Sequence, residues 1–210
     1  MSNKNKPKIA SVTNSIEKGA NYALSMRRYN KAIAEGFYFE AMLIEYAMIE
    51  DRLRSFLYHA GVLHNRTDTK GFKKTKSQIL AMLKEQNAKA QNTSVVTISA
   101  KIQIIRAILN WKNSLSVAPT NDKYLETLWN QIGSHLAIDE VSETLVSLED
   151  WCAYRNEIIH ALMNKNLDAV DESISERCER GMNIVRSLDR YVKQVRFRNV
   201  IRRSLRIKVD

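Results

Sequence analysis

The chain is poor in the residues that punctuate a fold. Six glycines, two prolines and two cysteines occur in 210 residues, below ordinary glycine and proline usage. So few breakers exclude a sandwich of short strands joined by tight turns, a collagen-like repeat and a long low-complexity linker. Cys152 and Cys178 are too few for a disulfide framework or a structural zinc centre. No run approaches the roughly 18 apolar residues that a membrane-spanning helix needs, so no membrane partner is expected. The basic opening MSNKNKPK leads into no apolar stretch of the kind a secretory signal carries, and an intracellular, cytoplasmic protein is expected. Phosphate-binding glycine loops, paired-cysteine metal spacings and nucleophile elbows are missing too. The four histidines, His59, His64, His135 and His160, form no metal-binding set, so neither metal nor cofactor is expected.

What is present is apolar residues at helical spacing. They make up 44% of the chain with tyrosine and tryptophan included, enough for a sizeable core. Ser15 to Ala34 reads as a first helix ended by Gly36. From Phe37 to Ala60, Met42, Tyr46, Ile49, Leu53, Phe56 and Ala60 recur at intervals of three and four, one face of a helix that Gly61 stops. Glu50 stands four residues before Arg54 on its polar side, a favourable pair. A polar loop over 63–76 precedes a helix starting near Ile79. Ile98, Ile102, Ile105, Ile108 and Trp111 mark another, although the β-branched residues at its start also suit a strand. Tyr124 to Ile132 reads as a short helix closed by Gly133, and Ile138 to Asn164 as one long helix or two broken by a short irregularity, with Asp139 the candidate cap and Ser142 close behind. A last helix spans Leu167 to about Leu205, interrupted at Gly181, with Phe197, Ile201 and Leu205 along one side. The expected architecture is a single all-α domain over 1–210, a bundle of about five to seven helices with a basic helical extension from about residue 183. Trp111, Trp129 and Trp151 read as packing anchors, Met26, Met42, Met48 and Met82 as filler, and Cys152 as a small buried hydrophobe.

Charge is the second strong feature. Thirty-three basic residues against 23 acidic ones give +10, and the excess is concentrated. From Asn183 to Asp210 there are nine basic and two acidic residues. Arg190, Arg196, Arg198, Arg202, Arg203 and Arg206 in that stretch, with Lys70, Lys73, Lys74 and Lys76 around Gly71, are candidates to bind the phosphates of RNA. The plain alternative is a solvated basic face.

The chemistry-bearing stretch is Trp151-Cys-Ala-Tyr-Arg-Asn-Glu-Ile-Ile-His-Ala-Leu-Met163. Its apolar stripe runs through Val141, Leu145, Leu148, Cys152, Ile159 and Leu162, and Arg155 interrupts it. A guanidinium there is costly unless it meets an anion or opens to a cleft. Asn156 and His160, four apart, share the adjoining face. A permanent cation suited to phosphate beside a side chain type that exchanges protons near neutrality is a reasonable set for phosphodiester cleavage. The spacing recurs at Arg54 before His59, and Arg52 to His59 also fits; there Arg54 pairs with Glu50, and Arg54 and His59 fall on the polar side of their helix.

The string RNEIIH, late in an all-helical chain, resembles the R-x4-6-H signature of HEPN ribonucleases, down to the polar residue after the arginine. The resemblance implies an HEPN-like helical bundle that cleaves RNA without a metal as a homodimer, in a toxin–antitoxin or antiphage-defence setting, with an antitoxin or guide RNA as a further partner. It implies that Arg155 and His160 are catalytic and Asn156 supporting. One subgroup, silenced by adenylylation, carries a tyrosine two residues after the histidine. Leu162 stands there in this chain, so that form of control is not implied.

Overall fold

The computed structural model describes residues 16–63, 97–164 and 173–206. Among them every regular element is helical: α1 (Ile16–Ala34), α2 (Tyr38–His59), α3 (Ile98–Ser114), α4 (Lys123–His135), α5 (Ile138–Asn164), α6 (Ile174–Arg196), a 3-10 turn (Phe197–Asn199) and α7 (Val200–Arg206). The all-α bundle expected from the periodicity is the observed fold class. The basic loop over 63–76, except for Leu63, and the helix starting near Ile79 lie outside the described residues.

Local chemistry sets the helix ends. Gly36 and Gly61 follow α1 and α2 with φ of 76° and 81°, the left-handed conformation that ends a helix at little steric cost in glycine. Thr97 caps α3 by accepting the Ala100 amide at 3.1 Å. Asp122 caps α4, accepting the amides of Tyr124 and Leu125 at 2.8 and 3.2 Å. The β-branched start of α3 is helical because Ile98, Ile102, Ile104, Ile105 and Ile108 are all buried, and packing outweighs a propensity difference of a few tenths of a kcal/mol.

Four sequence expectations need correction. Gly133 does not close α4, which runs on to His135. Asp139 lies inside the first turn of α5 rather than at its cap. Gly181 does not interrupt α6. The break comes at Arg198 and Asn199, with φ of 53° and 51°, so Phe197 leaves the side that carries Ile201: it is 45% exposed while Ile201 is fully buried.

The described residues fall into two compact units, between which the chain passes within α2, α5 and α6. The first holds residues up to Ile49 and from Val146 to Asp189. Its buried apolar side chains include Tyr22 and Tyr29 of α1, Met42 and Ile49 of α2, Leu148, Trp151 and Ile158 of α5, and Met182 and Val185 of α6. The Trp151 indole donates to the Arg177 carbonyl at 3.2 Å. Gly181 is needed here for space: a Cβ would overlap the Glu45 carboxyl and the Trp151 indole nitrogen.

The second unit holds Glu50 to Leu145 and the residues from Arg190 on. Leu53, Phe56 and Leu57 of α2, Ile105 and Ile108 of α3, Leu128 and Ile132 of α4, Val192 and Val195 of α6, and Ile201 supply its core. The buried Tyr124 hydroxyl donates to the Ala60 carbonyl at 2.9 Å. A Cβ on Gly61 would stand 2.8 Å from both Tyr124 and Leu205, so that glycine serves the turn and the packing together.

Candidate functional site

Within the first unit, α5 carries Arg155, Asn156 and His160 toward its C-terminal end. Leu148, Trp151 and Ile158 are buried and fix the helix in rotation. With that phase set, Arg155 is half-buried, and Asn156 and His160 are exposed.

Tyr46 of α2 decides where the guanidinium sits. The centre of the Arg155 guanidinium lies 4.2 Å from the Tyr46 ring centroid, a stacking distance at which an aromatic face stabilises a cation by about 0.5–2 kcal/mol. Nη1 donates to the Asn156 side-chain oxygen at 3.0 Å. Nε is buried and has no hydrogen-bond partner among the described residues. Among the described residues the contacts of Arg155 are an aromatic ring and a neutral amide, and no carboxylate there pairs with it. Both partners orient the guanidinium and leave it positive, a setting that suits an anion-binding group. His160 follows five residues later, nearly one and a half helical turns along, and is exposed.

The second copy of the spacing is built differently, and the expectation of a polar face fails at His59. Arg52 is fully buried and His59 is 5% exposed, because α2 is enclosed nearly all round over this stretch. An arginine on an apolar stripe thus occurs in both copies. Accessibility separates them: His160 faces water, whereas Arg52 and His59 are shut away from a polymeric substrate. Arg54 does approach Glu50, at 3.8 Å. That carboxylate is shared with Lys101 of α3, whose fully buried ammonium lies 3.2 Å from it. Burial pulls the Lys101 pKa down and Glu50 opposes the shift.

The basic candidates are placed unequally. Arg190 is joined to Glu140 at 2.8 Å, with both side chains more than half exposed. Arg202 turns inward, donating to the Leu63 carbonyl at 2.9 Å and lying 4.3 Å from the Tyr58 ring centroid. Arg196 is half-buried, while Arg198 and Arg203 are exposed. Lys70, Lys73, Lys74 and Lys76, and the Arg206 side chain, lie outside the described residues.

Two contributors escaped the sequence reading. Tyr46 looked like one more member of an apolar stripe, and nothing in the spacing links it to a residue more than a hundred positions away. Glu45 is fully buried, and burial pushes its carboxyl up to about 9, so it is protonated at neutral pH. It gave no signal because a glutamate in a helix is ordinarily solvent-facing. The cysteines are inert at neutral pH, since burial pushes the Cys152 thiol up to about 11 and that of Cys178 up to about 12. No group of three or more potential metal ligands occurs among the described residues, and no helix there is long and apolar enough to cross a membrane. No family model, curated protein or solved structure matches the chain.

Proposed function

We propose that the protein is a metal-independent endoribonuclease of the HEPN type, working as a homodimer on RNA. The observation that carries this reading is the setting of Arg155: stacked on Tyr46, braced by Asn156, paired with no described carboxylate, and followed by the solvent-facing His160. Arg155 would hold the scissile phosphate and offset the charge that grows on its oxygens in the transition state. The ribose 2′-oxygen attacks phosphorus as it loses its proton, the bond from phosphorus to the 5′-oxygen breaks, and that oxygen gains a proton. His160 carries one of these two protons and water the other. The products are a 2′,3′-cyclic phosphate and a 5′-hydroxyl. Asn156 positions the guanidinium. A cytoplasmic toxin or antiphage effector, restrained by an antitoxin or directed by a guide RNA, is the setting that the family resemblance suggests.

RNA incubated with the purified protein should be cut equally with and without EDTA, and Arg155→Ala or His160→Ala should slow cutting by at least about a hundredfold. Cleavage lost to EDTA, or kept by both variants, refutes the mechanism.

A second reading, a non-catalytic RNA-binding module, is favoured by the exposed Arg198 and Arg203 beside the kink. It predicts salt-sensitive binding with no product formed.

A further inference from the structure

We infer that Phe197, at the kink between α6 and α7, is a stacking platform for an unpaired base of single-stranded RNA. This rests on the RNA-binding part of the proposed function and is independent of Arg155 and His160.

The backbone is the first argument. Had α6 continued as a regular helix, Phe197 would share a face with Ile201, four residues on, and Ile201 is fully buried. Instead Arg198 (φ 53°, ψ 9°) and Asn199 (φ 51°) adopt left-handed conformations, ordinary for asparagine and unfavourable for arginine. The Phe197 ring is left 45% exposed, while Ile201, four residues on, is fully buried. A strained arginine beside an exposed aromatic ring is the kind of feature that binding sites hold.

The ring's neighbours say which ligand. The His135 imidazole of α4 lies 4.7 Å away, centroid to centroid, at 49°, and holds the phenyl ring from one direction. The Arg198 guanidinium lies 5.1 Å from the Phe197 centroid, a second planar group able to stack on a base or reach a phosphate. Arg198 and Arg203 are exposed, and from Lys193 to Arg206 the sequence holds no acidic residue. Exposed ring and cations together fit a polyanion whose monomers carry flat faces. A bilayer surface fits worse, because the apolar residues of α7 are already spent inward on Ile201 and the Gly61 turn. Duplex RNA also fits worse, since its bases are stacked on one another and only splayed bases offer a free face.

The test is fluorescence anisotropy with a labelled oligouridylate and with an RNA duplex of the same length, using the full chain carrying His160→Ala so that the RNA stays whole. Phe197→Ala and Phe197→Leu should each weaken oligouridylate binding by about tenfold. Because no charge is removed, the salt slope should not change, and duplex affinity should stay within about twofold. Phe197→Trp should restore affinity, and its added fluorescence should be quenched by the RNA. Leucine keeps apolar bulk and loses the π-face, so a leucine variant that binds like the parent overturns the platform, as does equal loss of single-strand and duplex affinity. If RNA binds and only the Phe197 variants are silent, the platform alone fails. If neither RNA binds, the RNA reading fails with it.

Discussion

Individual side chains carry most of what is particular to this protein, and Arg155 shows how. Its helical phase predicts a guanidinium interrupting a stripe through Cys152 and Ile159; both of these and Arg155 are half-buried, and Leu148, Trp151 and Ile158 are the buried positions. The reason the position is tolerated was not legible, because Tyr46 comes from a distant helix and was read as ordinary core. Lysine cannot reproduce a planar stack with a bond to Asn156, so Arg155→Lys should recover little of the RNA cleavage lost in Arg155→Ala, while circular dichroism shows an intact helical fold. Full recovery by lysine would mean that only a point charge is needed.

Glu45 makes a second residue-level prediction, about stability. Its folded pKa, about 9, lies above the ordinary glutamate value. The native state therefore holds a proton that the unfolded chain releases on passing about pH 4.5. That contribution is complete below the unfolded pKa and is lost as pH rises through about 9. Between those limits the unfolding free energy from denaturant titrations should fall with pH, by at most about 1.4 kcal/mol per unit from this group. Glu45→Gln removes the titration and should flatten the profile. A wild-type profile no steeper than that of the variant would contradict the assignment.

Among elements, helices were easier to read than their ends. Apolar intervals of three and four located α2, α3 and α5, because burying one face is what makes a helix worth forming in a protein. Breaks were harder. Gly133 and Gly181 looked like interruptions yet lie within helices, the latter because the Glu45 carboxyl and the Trp151 indole need the space a Cβ would take. The real break uses an arginine and an asparagine, which carry no such label in a sequence. At Gly61 a left-handed turn and close contacts coincide. Gly61→Ala should lower stability by about 2 kcal/mol or more in chemical denaturation, well beyond an ordinary helix-end change. Gly36 has nothing within 4 Å of a Cβ, so Gly36→Ala carries the conformational cost alone and should be the milder of the two.

For the whole molecule, net charge said more about partners than about fold. A chain at +10 attracts polyanions, and the structure sorts the tail arginines by what they already do: Arg190 meets Glu140, Arg202 holds the Leu63 carbonyl, and Arg198 and Arg203 face water. Formal charge could not make that distinction, since all four look alike in sequence. Removing Arg198 and Arg203 together should reduce the salt slope of single-strand binding by roughly one to two. Arg202→Ala should instead act mainly through stability, seen as a lower melting temperature. An unchanged slope in the double variant would place the RNA contacts elsewhere.

The ends of the RNA fragments distinguish attack by the 2′-oxygen from attack by water. Treating RNA with the protein in EDTA and analysing the fragments by mass spectrometry should give 2′,3′-cyclic phosphates opposite 5′-hydroxyls, in amounts that collapse with His160→Ala. Fragments ending in 5′-phosphate, or cyclic phosphates formed as readily by the His160→Ala protein, would contradict the mechanism.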